Sequence, residues 1–113
     1  MPNHVQLDEV FKALSDPTRR AVLSRLARGA ANVSELAQPF DMALPSFTQH
    51  LQVLEESGLV TSEKRGRRRY YRMAPQRLEL AEDWLAEQRS LWERRLGQLD
   101  DLLEALDRKE RER

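Results

Sequence analysis

The side-chain amide of Gln49 offers a paired donor and acceptor, the pattern that matches the major-groove edge of adenine. It lies in Leu44-Pro45-Ser46-Phe47-Thr48-Gln49-His50-Leu51-Gln52, a stretch rich in short hydrogen-bonding side chains. Ser46 and Thr48 can reach bases or phosphates, with His50 on a flank and Gln52 one turn on, while Leu44 or Pro45 can meet a thymine methyl group. One hairpin's reach further along, Lys64-Arg65-Gly66-Arg67-Arg68-Arg69 gathers cations that no core accepts. Like charges clustered this closely repel one another, and the phosphates of a duplex relieve that cost. Taken alone, a polar helix face is as readily a solvated face. The adjacent arginines favour nucleic acid.

These residues need a helix and a hairpin to present them. Leu44, Phe47, Leu51 and Leu54 repeat at helical spacing and predict a helix over 44–57 anchored by that face, with Gly58 as its stop. Before it, Asn32-Val33-Ser34-Glu35 has the pattern of a capping box and opens a short helix through about Pro39. Two short helices joined by so few residues cross steeply, as in a helix-turn-helix. After Gly58, alternation from Val60 to Arg65, a break at Gly66 and resumption through Tyr70-Tyr71 to Met73 predict a two-stranded hairpin. Arg69 and Arg72 could face either the duplex or the body of the protein. One of Tyr70 and Tyr71 should be core and the other exposed.

Further toward the N-terminus, Leu7, Val10, Phe11 and Leu14 predict an amphipathic helix ending near Ser15. Asp16-Pro17 then restarts a second helix that Gly29 stops. Arg19 and Arg20 are expected to pair with acids such as Glu9 or Asp16, with a contact to the DNA backbone as the alternative for one of them. Pro75 is expected to start a last helix carrying Leu78, Ala81, Leu85, Trp92, Leu96, Leu99, Leu103 and Leu106. At 1.5 Å per residue it would run on the order of 45 Å, more than one small domain covers. Part of its apolar stripe should meet another chain.

The whole is read as one domain of 113 residues, mainly α with a small β-hairpin, with a core over 7–75 and a long C-terminal dimerisation helix over 76–106. Formal net charge is zero, so only the distribution of charge argues for a partner. Over 62–72 there are six bases against the single acid Glu63, whereas from Gln76 onward 11 acids outnumber 8 bases. There are no cysteines, which excludes disulfides, thiolate metal sites and a cysteine nucleophile. No apolar run suits a membrane span or a signal peptide, and a cytoplasmic protein without a membrane partner is expected. No glycine-rich phosphate loop, nucleophile–histidine pair or spaced carboxylate pair points to an enzyme.

Ala13-Leu14-Ser15-Asp16-Pro17-Thr18-Arg19, Val33-Ser34-Glu35-Leu36-Ala37 and the run from Thr48-Gln49-His50-Leu51 to Glu56-Ser57-Gly58-Leu59-Val60 closely resemble the ArsR family of bacterial winged-helix repressors. The match covers roughly residues 7 to 75, in order and register. The resemblance implies a homodimer with about five helices and one wing per protomer, bound to imperfect inverted repeats in double-stranded DNA. It implies a recognition helix over 44–57 with DNA contacts at Ser46, Thr48, Gln49 and His50. It also implies a dimer interface from the first and last helices, here Leu7, Val10 and Phe11 with Trp84, Leu85, Leu91, Trp92 and Leu99.

Many members of that family sense metals through cysteines on the helix matching 33–39, or through histidine and carboxylates on the last helix. This chain has neither set, and its histidines are His4 and His50 alone, so no metal or cofactor is expected. Trp84 and Trp92 suit dimer packing; the sharper reading is a small hydrophobic effector held between paired last helices. A competing function is a protein-interaction module that uses the winged-helix scaffold and the long helix without specific DNA binding.

Overall fold

Capping chemistry sets the first half of the chain. The structure, a computed structural model, describes residues 2–112. Helix α1 (Pro2–Leu14) ends where the Ser15 amide turns back to the Lys12 carbonyl. Asp16 then caps α2 (Pro17–Leu26): its Oδ2 accepts the Arg19 amide at 3.1 Å, and Pro17 sits where no amide donor is required. The capping box of α3 (Val33–Ala37) closes both ways, with the Glu35 amide 2.9 Å from Asn32 Oδ1 and the Asn32 amide 3.4 Å from Glu35 Oε1.

Helix α4 (Leu44–Glu56) follows, and the ring of Phe40 in the connection packs at 5.5 Å from that of Phe47. Its far end is a Schellman closure: the Gly58 amide bonds the Glu55 carbonyl and the Leu59 amide reaches the Leu54 carbonyl. Gly58 adopts φ +80°, and a Cβ there would lie 2.7 Å from Arg77 Cγ. Both conformation and space therefore call for glycine.

Strands β2 (Val60–Arg65) and β3 (Arg68–Met73) pair antiparallel from Val60 opposite Met73 to Arg65 opposite Arg68. Gly66, at φ +64°, makes the first residue of a two-residue turn, as tight hairpins of this hand require. The sheet has a third strand beyond the expected hairpin. β1 (Ala31–Asn32) pairs with β3, Ala31 opposite Tyr71 and Asn32 opposite Tyr70, giving the order β1-β3-β2. Two residues are too few to display a period of two, so only the partner strand reveals it.

The chain divides into two compact units, Met1–Ala81 and Glu82–Arg113. In the first, Val10, Val22, Leu36, Phe47, Leu51, Leu54, Leu59 and Val60 are fully buried around one core. Val10 is thereby withdrawn from the expected interface, because a side chain at 0% exposure has no surface to offer a second copy. Leu44 also departs from expectation. It is 56% exposed rather than an anchor, since the first turn of α4 runs past the core that holds Phe47 and Leu51.

Helix α5 (Leu78–Arg111) starts three residues later than Pro75 and runs beyond residue 106. The Leu78 amide bonds the Pro75 carbonyl in a turn, a place as compatible with proline's fixed φ as a first helical position. In the second unit Trp92, Leu96, Leu99, Leu103 and Leu106 repeat every three or four residues, Leu85 precedes Trp92 by seven, and all lie at least 49% exposed. No helix among the described residues is long and apolar enough to cross a membrane.

Candidate nucleic-acid interface

The outer face of α4 carries the expected readers. Pro45, Ser46, Thr48, Gln49 and Gln52 are exposed, while Phe47, Leu51 and Leu54 seat the opposite face in the core. Thr48 Oγ1 donates to the Pro45 carbonyl at 3.0 Å, and Gln52 Nε2 to Glu56 Oε1 at 3.1 Å. These are local bonds within exposed turns, readily exchanged for a ligand's. Among the described residues none hydrogen-bonds the Gln49 side chain, so its amide keeps both its donor and its acceptor uncommitted.

His50 is placed differently from its neighbours. Its side chain is only 23% exposed and turns toward the junction of α1 and α2, with Nδ1 3.1 Å from Arg19 Nη1 and 3.7 Å from Asp16 Oδ2. Arg19 does stand beside the expected acid, Asp16, whose carboxyl accepts its amide and is attracted to its charge, but the side-chain hydrogen bonds of Arg19 go elsewhere. Its guanidinium donates from Nε to the Ala13 carbonyl at 2.8 Å and from Nη2 to the Lys12 carbonyl at 2.9 Å, satisfying the last turn of α1. Arg20 does the same for the Leu14 carbonyl. Nothing in the local sequence announces these contacts, because carbonyl acceptors belong to every residue type.

The electrostatics of that junction are opposed. Burial works to raise the Asp16 carboxyl, but the Arg19 amide, attraction to His50 and to the Arg19 guanidinium, and the Thr18 amide outweigh it and hold Asp16 below its ordinary value.

The wing divides into an exposed cationic tip and a braced root. Lys64, Arg65, Arg67 and Arg68 are exposed around the turn, with Arg65 only loosely engaged by Glu63 at 3.5 Å. Arg69, expected at the tip, reaches inward: its Nη1 donates to Ser62 Oγ at 3.0 Å, and Ser62 Oγ donates to Glu55 Oε2 on α4 at 3.0 Å. Arg72 lies across from Thr61, with Nε 3.4 Å from Oγ1. Tyr71 is core and Tyr70 half-buried on the opposite sheet face. Burial pushes the Tyr71 hydroxyl up from its ordinary value, Glu55 adds to the rise, and Arg69 partly offsets it.

Against Arg67, Arg68 and Arg69, the start of α3 at Asn32, Val33 and Ser34 borders a shallow hollow of about 280 Å³. In the second unit, Trp84 and Trp92 are 41% and 67% exposed, and Leu91, Trp92 and Arg95 edge an open depression of about 290 Å³. No group of three or more potential metal ligands stands together among the described residues.

A short helix, a turn and a second helix with an exposed polar face, followed by a basic hairpin, define a winged helix-turn-helix protein. A helix-turn-helix domain family matches residues 14–63. The transcriptional repressor SdpR of Bacillus subtilis is 32% identical over 79 residues, covering 70% of this chain and 88% of that protein. The regulator Rv2034 of Mycobacterium tuberculosis is 43% identical over 68 residues, covering 60% of this chain, and the match spans only 64% of that relative's length.

Among solved structures, a crystal structure of an ArsR family transcriptional regulator superposes with a TM-score of 0.75 at 57% identity, covering 78% of this chain and 91% of the other. A homodimeric winged helix-turn-helix DNA-binding domain from Mycobacterium bovis gives 0.60 at 32% identity, covering 76% and 82%. The chain belongs to the ArsR family of transcriptional regulators.

Proposed function

We propose that this chain is a homodimeric repressor that binds an inverted-repeat operator in double-stranded DNA. The exposed face of α4 enters the major groove, where Gln49 selects a base pair with Ser46, Thr48 and Gln52 beside it. Lys64, Arg65, Arg67 and Arg68 hold the sugar-phosphate backbone or enter the minor groove. The observation that carries this reading is the pairing of an exposed, uncommitted Gln49 on a core-anchored helix with a cationic turn on a hairpin braced to that same helix.

A homodimer is supported by the M. bovis neighbour, whose winged helix-turn-helix domain is homodimeric. It is also supported by the exposed seam of leucines and Trp92 in the second unit, whose three-to-four spacing suits helix pairing. The residues offered to a second copy are Leu7 and Phe11, both half-buried, in the first unit and, separately, Trp84, Leu85, Leu91, Trp92 and Leu99 in the second. Two-fold symmetry then sets half-sites about 34 Å apart on one face of the duplex. The protein would work in the cytoplasm, where the chromosome is accessible.

Selection of bound duplexes from a random pool tests this directly. A palindromic consensus is expected, and log affinity should fall against log salt with a slope of roughly −5 to −7 if each protomer neutralises ~3 to 4 phosphates. No enrichment together with no salt dependence would overturn the reading. Capture of a partner protein through residues after Pro75 would then favour the interaction-module alternative.

A further inference from the structure

His50 stands apart from the other residues of the recognition face, because one of its two ring nitrogens is already engaged. A guanidinium has N–H donors and no acceptor, so with the imidazole neutral the Arg19 Nη1 contact at 3.1 Å is a hydrogen bond only if Nδ1 of His50 accepts, and Asp16 Oδ2, 3.7 Å from the same nitrogen, lies beyond hydrogen-bond reach. In the neutral ring the proton must then sit on Nε2. Among the described residues no hydrogen bond of the chain reaches Nε2, which leaves one N–H donor at a known ring edge.

Arg19 is itself immobilised. Two further guanidinium nitrogens are tied to the Ala13 and Lys12 carbonyls, and its own amide is tied to Asp16. The ring is therefore oriented by a group anchored on two other helices, α1 and α2, across a sequence separation of 31 residues.

We propose that Arg19 is a positioning residue for DNA binding: it holds His50 in the Nε2–H form, so that His50 donates to a phosphate oxygen beside the major groove. This rests on the DNA-binding reading above. Phosphate is favoured over a base edge on two counts. The ring is only 23% exposed on the flank of α4, so it reaches a ligand at its rim rather than by projecting into the groove. A phosphate oxygen is purely an acceptor at neutral pH, which matches a ring whose remaining nitrogen can only donate, and such a contact fixes register without reading sequence.

The first test needs no DNA. Long-range 1H–15N spectra of the full chain at about pH 8, above the ordinary imidazole value, should report Nε2–H and a bare Nδ1 for His50. Arg19→Lys and Arg19→Gln should shift that signature toward a tautomer mixture. An Nδ1–H signature in the unsubstituted protein would overturn the proposal.

The second test is a double-variant cycle on the selected duplex. Arg19→Gln and His50→Ala should each weaken binding about tenfold, and together no further, because both remove one contact. Additive losses, or a change in base preference with His50→Ala, would overturn the phosphate assignment. If Arg19→Gln does not fold, by circular dichroism, Arg19→Lys serves in its place, since its ammonium can still serve the α1 carbonyls. Should the unsubstituted protein bind no duplex at all, the DNA-binding reading fails, while the spectra still decide the Arg19–His50 contact.

Discussion

Ser62 at the root of the wing donates its hydroxyl to Glu55 on the recognition helix at 3.0 Å, and Arg69 donates to the same hydroxyl from the opposite strand. The wing and the reading helix are thus braced as one body by a relay of three side chains. A hydroxyl can serve as donor and acceptor at once, which neither a carboxylate nor a guanidinium can do.

Ser62→Ala removes the middle of this relay. The groups are exposed, so the loss of stability should stay below about 1 kcal/mol. Freed from its brace, the cationic tip samples more orientations, and affinity for all duplexes should fall about threefold without a change in consensus, a cost of roughly 0.6 kcal/mol in ordering the tip. Thermal melts and fluorescence anisotropy on the same samples would separate the two effects. A large drop in melting temperature would instead assign the relay to folding.

Gln49 and the wing arginines should answer to different assays. Gln49→Ala is expected to relax the preference at one base pair per half-site, at a cost of about 1 to 3 kcal/mol against the preferred base. Arg67→Ala and Arg68→Ala should weaken matched and random duplexes alike, and each should reduce the salt slope by about one per bound site. Binding titrations at several salt concentrations distinguish them.

Asp16 links stability to acid. Its carboxyl is held below the ordinary value in the folded protein, so its contribution is present above the unfolded value of 3.8 and is lost as pH falls through the lower folded one. Asp16→Asn keeps a side-chain cap acceptor while removing the titration. Denaturant midpoints measured from about pH 6 down to about pH 2 should therefore fall less steeply for the variant. Parallel curves would mean that Asp16 is not a source of the acid sensitivity.

Two glycines should respond in opposite senses to alanine. At Gly58 the left-handed backbone costs about 1 to 2 kcal/mol, and the new methyl must also displace the stem of Arg77, whose Cγ lies 2.7 Å away. Gly58→Ala should lower the melting temperature by several degrees. Gly97 lies within α5, and among the described residues a methyl group added there would meet nothing within 4 Å apart from its chain neighbours and the helix's own backbone. Gly97→Ala should be neutral or stabilising by about 0.5 to 1 kcal/mol.

Leu99, 49% exposed on the seam of the second unit, tests the proposed dimer. A glutamate there would bury charge in any apolar helix pairing. Leu99→Glu is expected to sediment as a monomer at concentrations where the parent is dimeric, and to lose affinity for a palindromic duplex far more than for a half-site. Retained dimerisation would move the interface elsewhere.

Much of this was legible in the chain because it depends on neighbours in sequence. Asp16-Pro17, the Asn32–Glu35 box, Gly58 and Gly66 act through bonds and dihedrals spanning a few residues, so their side chains alone announce the boundaries of α2, α3, α4 and the hairpin. Helical spacing likewise separated buried Phe47, Leu51 and Leu54 from exposed Ser46, Thr48 and Gln49. The exposed cationic tip followed from charge, since neighbouring cations resist burial together.

Tertiary structure decided what those local rules leave open. β1 exists only because Tyr70 and Tyr71 of β3 offer its two residues an edge. Val10 became core and Leu44 surface according to where α2, α4 and the sheet meet, which no single helical period encodes. The directions of His50 and Arg69 were settled by Arg19, 31 residues away from His50, and by the Glu55–Ser62 pair. A side chain's type determines what it can bond, but its partner is whichever group the packed chain brings within about 3 Å.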